Sequence, residues 1–96
     1  MARVELSLGA VEDLDRLILT HSLPVDTRLR VRRSLRILAE FPLIGRKLSG
    51  RWQPMRFVLG PWRWLLIVYR YEQAEDRVLV VTIQDARSLL AATSAP

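Results

Sequence analysis

Trp62-Arg63-Trp64-Leu65-Leu66-Ile67-Val68-Tyr69-Arg70-Tyr71 is the stretch on which the reading of this chain turns. It is long, aromatic and β-branched, and Gly60-Pro61 precedes it. That combination predicts a strand entered from a tight turn. The apolar run is almost unbroken, as expected of a central strand largely covered on both faces. Arg63 does not fit a core. A guanidinium near the start of a central strand is paired, exposed at the strand end, or used.

Working outward, residues 55–59 form the strand before it and residues 78–83 the strand after it. Gly60-Pro61 and Gln73-Ala74-Glu75-Asp76 are the short joins, so an antiparallel meander is expected. Upstream, residues 47–54 read as a loop rich in Gly, Pro and cations, and Pro42 stops the helix before it. That helix spans about residues 25–40, with Val31, Leu35 and Leu38 as its apolar stripe and Asp26 or Thr27 as cap. Arg28, Arg32 and Arg36 share another face, four residues apart. This face binds phosphate or an acidic partner helix, or is a solvated face whose stems cover the core.

A first helix is expected over residues 11–20. Leu14, Leu17 and Ile18 fall at helical spacing, and Glu12 and Asp13 lie in the first turn, where the helix dipole favours acid. His21 then falls in a solvated turn. Residues 3–8 alternate apolar and polar, as a half-buried first strand does, and Gly9-Ala10 breaks it. The order β-α-α-β-β-β makes an α+β domain: a two-helix antiparallel hairpin packed on a small, mostly antiparallel curved sheet. The uncovered face of that sheet is where a site is expected. The 96 residues are read as one domain, with a short helical turn near residues 88–90 and a flexible tail from about residue 89.

Composition narrows the function classes. There is no cysteine, so disulfide and thiolate chemistry are excluded and a cytoplasmic location is the simplest expectation. No apolar run is long enough to cross a bilayer, and the first residues lack the apolar core of a signal peptide. Net charge is +5, and Lys47 is the only lysine among 15 cations. Arginine supplies flat, bidentate donors suited to phosphate and carboxylate, so RNA, DNA or an acidic protein segment are the expected partners.

In order, the chain presents Phe41-Pro42-x-x-Gly45-Arg46, Lys47-Leu48-x-Gly50, Arg56 on a strand, Gly60-Pro61-Trp62-Arg63, a hydrophobic strand and Asp85-Ala86-Arg87. Together these resemble the RelE/ParE superfamily, the toxin half of bacterial type II toxin–antitoxin modules, over about residues 3–88. The family pattern is a Pro-x-x-Gly turn after the second helix, an Arg-bearing strand, a Gly-Tyr-Arg-like strand start and a terminal His-Arg-like pair. The resemblance implies a growth inhibitor neutralised by a cognate antitoxin, in an oligomeric assembly with it, and no cofactor or metal.

It also implies one of two targets. RelE-like members are ribosome-dependent mRNA endoribonucleases (mRNA interferases), in which a 2′-hydroxyl attacks the adjacent phosphate and basic residues stabilise the charged transition state. ParE-like members inhibit DNA gyrase. If this chain is an enzyme, it is a metal-independent endoribonuclease with Arg56, Arg63 and Arg87 as catalytic residues clamping a phosphate. Each arginine also has a structural reading: Arg63 pairing with Asp85 or Glu72, Arg56 facing solvent, Arg87 marking the end of the domain. The terminal His or Tyr of some RelE-like enzymes is absent, and the second strand carries one cation where active RNases often show two. These departures favour the gyrase-inhibiting branch. Antitoxin contacts are expected at Arg28, Arg32, Arg36, Trp52 and Trp62, and exposed apolar grooves are expected between the second helix and the sheet edge. Trp52, Trp62 and Trp64 are core or partner-interface anchors, or else stack on bases. A third reading, from another class, is a non-toxic basic nucleic-acid-binding module.

Overall fold

The computed structural model describes residues 1–87; the helical turn and tail expected from residue 88 onward lie outside them. The elements are β1 (Arg3–Leu6), α1 (Leu8–Thr20), α2 (Thr27–Glu40), β2 (Arg46–Lys47), β3 (Arg56–Leu59), β4 (Leu65–Glu72) and β5 (Arg77–Asp85), with single 3-10 turns at Gly50–Trp52 and Gln73–Glu75. The sheet order is β1-β5-β4-β3-β2. Strands β2 to β5 pair antiparallel, and β1 joins the edge parallel to β5, Arg3 opposite Arg77. Both helices pack on this sheet, as the α+β reading required.

The unbroken apolar run has the predicted consequence. Leu65, Ile67 and Tyr69 point to the helices and join Leu14, Val31, Leu35, Leu38, Val78, Val80 and Ile83 in one core. Leu66 and Val68 point the other way, yet they are 5% and 0% exposed. The face expected to stay open is therefore closed over its central strand.

Three boundaries differ from expectation, each for a local reason. β4 begins at Leu65, because Trp62, Arg63 and Trp64 remain in the turn; Gly60 N donates to Leu65 O at 2.9 Å and Leu65 N to Trp62 O at 3.1 Å. α1 begins at Leu8. Ser7 caps it, its hydroxyl accepting from Ala10 N at 3.0 Å while donating to Val81 O at 2.9 Å. Gly9-Ala10 is thus no break, and Ala10 is fully buried. Asp13, past the first turn, instead accepts from Thr82 Oγ1 at 2.5 Å and Ile83 N at 3.3 Å, tying α1 to β5. Finally, the loop expected over residues 47–54 begins as β2, two residues that pair with Arg56 and Phe57.

The Pro-x-x-Gly turn after α2 is held by its glycine. The buried Tyr69 hydroxyl accepts from Gly45 N at 2.9 Å; burial pushes its phenol above the usual range, against the opposing pull of the Gly45 bond and the Arg56 charge. A β-carbon at residue 45 would stand 2.6 Å from that hydroxyl and 2.7 Å from Phe57 O. Gly45→Ala is expected to cost about 1–3 kcal/mol by overpacking, and Tyr69→Phe about 1–3 kcal/mol by orphaning a buried N–H. Urea denaturation of both variants and the double variant checks this: the double variant should cost less than the two together, because the hydroxyl is one of the three atoms the β-carbon would strike.

Candidate functional site

The β3–β4 turn, the α1–α2 turn and the end of β5 meet at one end of the sheet. Ala86 N donates to Trp64 O at 2.6 Å, closing β5 onto the turn. Trp64 stacks on Trp62 (centroids 5.8 Å, planes 11° apart) and on His21 (4.9 Å, 13°). Arg30 of α2 lies over Trp62 at 5.9 Å and Arg87 over Trp64 at 6.0 Å, both within cation–π range. His21 lies in the exposed turn expected of it, yet its ring is held by partners rather than standing free. Its backbone N–H closes α1 on Leu17 O at 3.0 Å. One ring nitrogen lies 3.0 Å from Thr20 Oγ1 and the other 3.3 Å from Asp85 Oδ2. A small cavity of about 230 Å³ opens beside it, lined by Asp13, Arg16, Gln84 and Asp85 among others. With both nitrogens engaged and a face on Trp64, this imidazole is a clasp between helix turn and sheet rather than a free base.

Asp85 is the hub of that end. Its side chain is 12% exposed. It accepts from Arg87 Nη2 at 2.9 Å, Arg87 Nε at 3.1 Å and Arg87 N at 2.9 Å. These bonds, with a smaller contribution from His21, hold its carboxyl at about 2 against burial, and raise Arg87 in turn.

The three arginines expected to form a phosphate clamp have separate fates. Arg56 stands opposite Tyr69, and its Nη1 donates to Leu43 O at 3.1 Å and Gly45 O at 3.0 Å, bracing the loop after α2. Arg87 is bound by Asp85. Arg63 is exposed in the β3–β4 turn and has no ion pair among the described residues. Neither carboxylate proposed for it is available: Asp85 serves Arg87 and His21, while Glu72 serves Arg70 at 3.1 Å and Arg77 at 2.5 Å. Arg63 and Arg87 share one end of the sheet. Arg56 is four residues further along β4 from the Leu65–Asp85 pair, roughly 13 Å away.

A second site lies between the helices. An apolar groove of about 630 Å³ opens over β1, floored by Val4 and Leu6 and walled by Leu14, Val31 and Leu35. Arg28, Arg32 and Arg36 stand together along it, with Asp15 facing Arg28 at 2.7 Å. The groove is thus bounded by both helices, not by α2 alone. Trp62 belongs to the stacked cluster and Trp52 to the Gly50–Trp52 turn by the β2–β3 edge, so the expected partner contacts do not form one patch. His21 was hidden from sequence reading because its partners come from the distant turn at Trp64 and from the end of β5. Among the described residues, no group of three or more His, Asp or Glu side chains gathers to hold a metal ion, and no helix is long and apolar enough to cross a membrane.

No family model and no curated protein matches the sequence. Solved structures do match the fold. A copper-bound mutant toxin from Helicobacter pylori superposes with a TM-score of 0.67 at 21% identity, over 93% of this chain and 99% of that one. The toxin–antitoxin complex RelBE from E. coli gives 0.66 at 17%, over 90% and 98%. The ParDE system of P. aeruginosa gives 0.67 at 11%, over 88% and 96%. The chain has the fold of these toxins nearly end to end.

The depressed Asp85 carboxyl sets a pH dependence. A carboxyl lower in the folded than in the unfolded state stabilises above its unfolded value, and that stability drains as pH falls toward the folded one. Asp85 should therefore contribute fully above pH 3.8 and progressively less toward about 2. Asp85→Asn is expected to lower Tm at neutral pH and to flatten the acid limb over that window, as followed by circular dichroism melts.

Proposed function

We propose that this protein is the toxin of a type II toxin–antitoxin module of the RelE/ParE superfamily, and that its target is DNA gyrase. The toxin reading is supported by the fold shared with RelE- and ParE-type structures and by the motif order from Pro42 to Arg87. The target reading rests on one observation: of the three candidate clamp arginines, Arg56 is spent on backbone carbonyls and Arg87 on Asp85. A phosphate clamp needs donors placed in advance and held ready for developing charge. Here a bidentate ion pair would have to break before Arg87 could serve. His21, the sole histidine, is engaged at both nitrogens and so does not supply a general base. A gyrase inhibitor needs none of this, since it acts by binding a protein surface.

The alternative, a RelE-like endoribonuclease acting on translated mRNA without a metal, is favoured by one feature. Arg63 is exposed, has no ion pair among the described residues and shares one end of the sheet with Arg87, so two cations stand at that end if Asp85 yields. The purified protein is expected to block gyrase supercoiling and to leave mRNA intact in a translation reaction. Discrete mRNA cleavage that disappears in Arg63→Ala, with supercoiling untouched, would reverse the target.

On this reading the antitoxin binds the groove between α1 and α2. Its apolar floor suits an amphipathic segment, and the Arg28, Arg32 and Arg36 rim suits acidic residues on that segment. Arg32→Glu/Arg36→Glu should weaken binding of the acidic product of a neighbouring gene by about 10-fold or more, measured by calorimetry, with the salt dependence of association reduced.

A further inference from the structure

β1 is the outermost strand on its side of the sheet. Arg3 N donates to Asp76 O at 3.0 Å and Ser7 N to Val80 O at 2.9 Å, so the odd-numbered residues turn their backbone groups to β5. The even-numbered residues face the other way. Ala2 N is taken by Ala39 O of α2 at 2.8 Å. The N–H and C=O groups of Val4 and Leu6 have no partner among the described residues. The opposite edge of the sheet discourages pairing by its own chemistry: β2 is two residues long and both are cations. β1 has no such guard. It carries one cation and one acid, with Val4 between them.

Those two charges make the edge complementary to itself. When a second β1 is laid against it antiparallel, with a twofold axis at Val4, Arg3 stands opposite the partner's Glu5 and Glu5 opposite the partner's Arg3. Outward-facing residues must meet outward-facing residues for the ladder to form, so the register moves only in whole pairs. One step either way sets Arg3 against the partner's Arg3, or Glu5 against the partner's Glu5, and like charges directly opposite repel. In the Val4 register, Val4 exchanges both backbone bonds with the partner's Val4, and Leu6 N–H faces the partner's Ala2 C=O. Arg3 and Glu5 then occupy non-hydrogen-bonded positions, where Cα atoms stand about 4.5 Å apart and side chains come closest. Within one chain Arg3 meets Glu5 only at 4.0 Å, and its side chain is 66% exposed, so this cation is available. Glu5 holds Arg77 at 3.3 Å through its other oxygen.

We propose that β1 is a self-association edge: two copies of this chain join β1 to β1 in a closed twofold dimer with one continuous sheet. The twofold axis keeps the helices of both copies on the same face. Val4 and Leu6, which floor the groove between α1 and α2, then lie beside the floor of the partner's groove. Leu8 and Val11, at the start of α1 next to this edge, are 75% and 41% exposed and are the apolar surface such a joint covers. Exposed ion pairs add little affinity. Here they fix the register, while backbone bonds and apolar contact hold the copies together.

The inference uses no part of the toxin reading, and its test uses the chain alone. Sedimentation equilibrium of the full-length protein over a wide concentration range should show the mass rising from one 11.1 kDa chain to two and no further. Arg3→Glu and Glu5→Arg each set like charges across the joint and should weaken the dimer by about tenfold. Arg3→Glu/Glu5→Arg restores opposite charges and should return it, with circular dichroism melts confirming that each variant is folded. The chain has no cysteine, so a single introduced thiol reports its own twofold neighbour. Val4→Cys should give a covalent dimer on mild oxidation, because its Cα faces the partner's at about 5.5 Å, within disulfide reach. Leu6→Cys, roughly 14 Å from its counterpart in this register, should not. The two thiol variants decide the matter if a charge variant does not fold. A mass of one chain at every concentration overturns the proposal. So does a dimer indifferent to both charge reversals, cross-linking through Leu6→Cys but not Val4→Cys, or an assembly that grows past two copies.

Discussion

The constraint on which this molecule depends is that five consecutive side chains of β4, Leu65 to Tyr69, must all be kept from water. An alternating strand can leave one face wet; this one cannot. It needs a strand on each side, helices over one face, and neighbouring strand residues crowding the other. Leu59 and Gln84 flank Leu66, and Phe57 and Thr82 flank Val68. The ends of the strand carry what the middle excludes. Toward Glu72 lie the ion pairs of Arg70 and Arg77; before Leu65 lie the stacked rings of Trp62 and Trp64 with their cations. The candidate functional surfaces are therefore at the sheet's ends and edges.

Asp85 decides how the cations at one end are used. A single carboxylate holds Arg87 in a bidentate pair and also meets His21, which leans on Trp64. The Asp85–Arg87 pair is itself neutral, while the chain as a whole is strongly basic. The free charge is displaced to two other places: the helical rim of Arg32 and Arg36, and the outer border of β2 and its flanking turns. One borders an apolar groove and the other does not.

Much of the architecture was legible in the sequence because it rests on local pattern. The β4 run announced a central strand, Val31, Leu35 and Leu38 announced a core-facing helix, and Pro42 its end. What escaped notice depended on contacts made at a distance. Ser7 caps α1 with the help of Val81, so α1 starts earlier than Gly9 suggested. β2 is too short to carry a pattern and exists through its pairing with β3. Trp62 to Trp64 looked like strand by residue type, yet Gly60-Pro61 opens a turn long enough to keep all three out of the ladder. At the site, residue chemistry marked the arginines but not their partners. Arg56 was visible as a cation; that its charge is directed at Leu43 and Gly45 carbonyls follows only from the fold.

The parallel pairing of β1 with β5 joins the two ends of the described chain, Arg3 beside Arg77 and Leu6 beside Val80. During synthesis the amino-terminal segment emerges first and finds no strand to pair with. The closing ladder waits for residues 77–80, more than 70 positions on, and such a long loop slows folding. Until then Val4 and Leu6 have no frame to hold them, and the floor of the helical groove does not exist. The surface that a neutralising partner would grip thus appears only once β5 is in place, so recognition there reports the closed sheet rather than the helical hairpin alone.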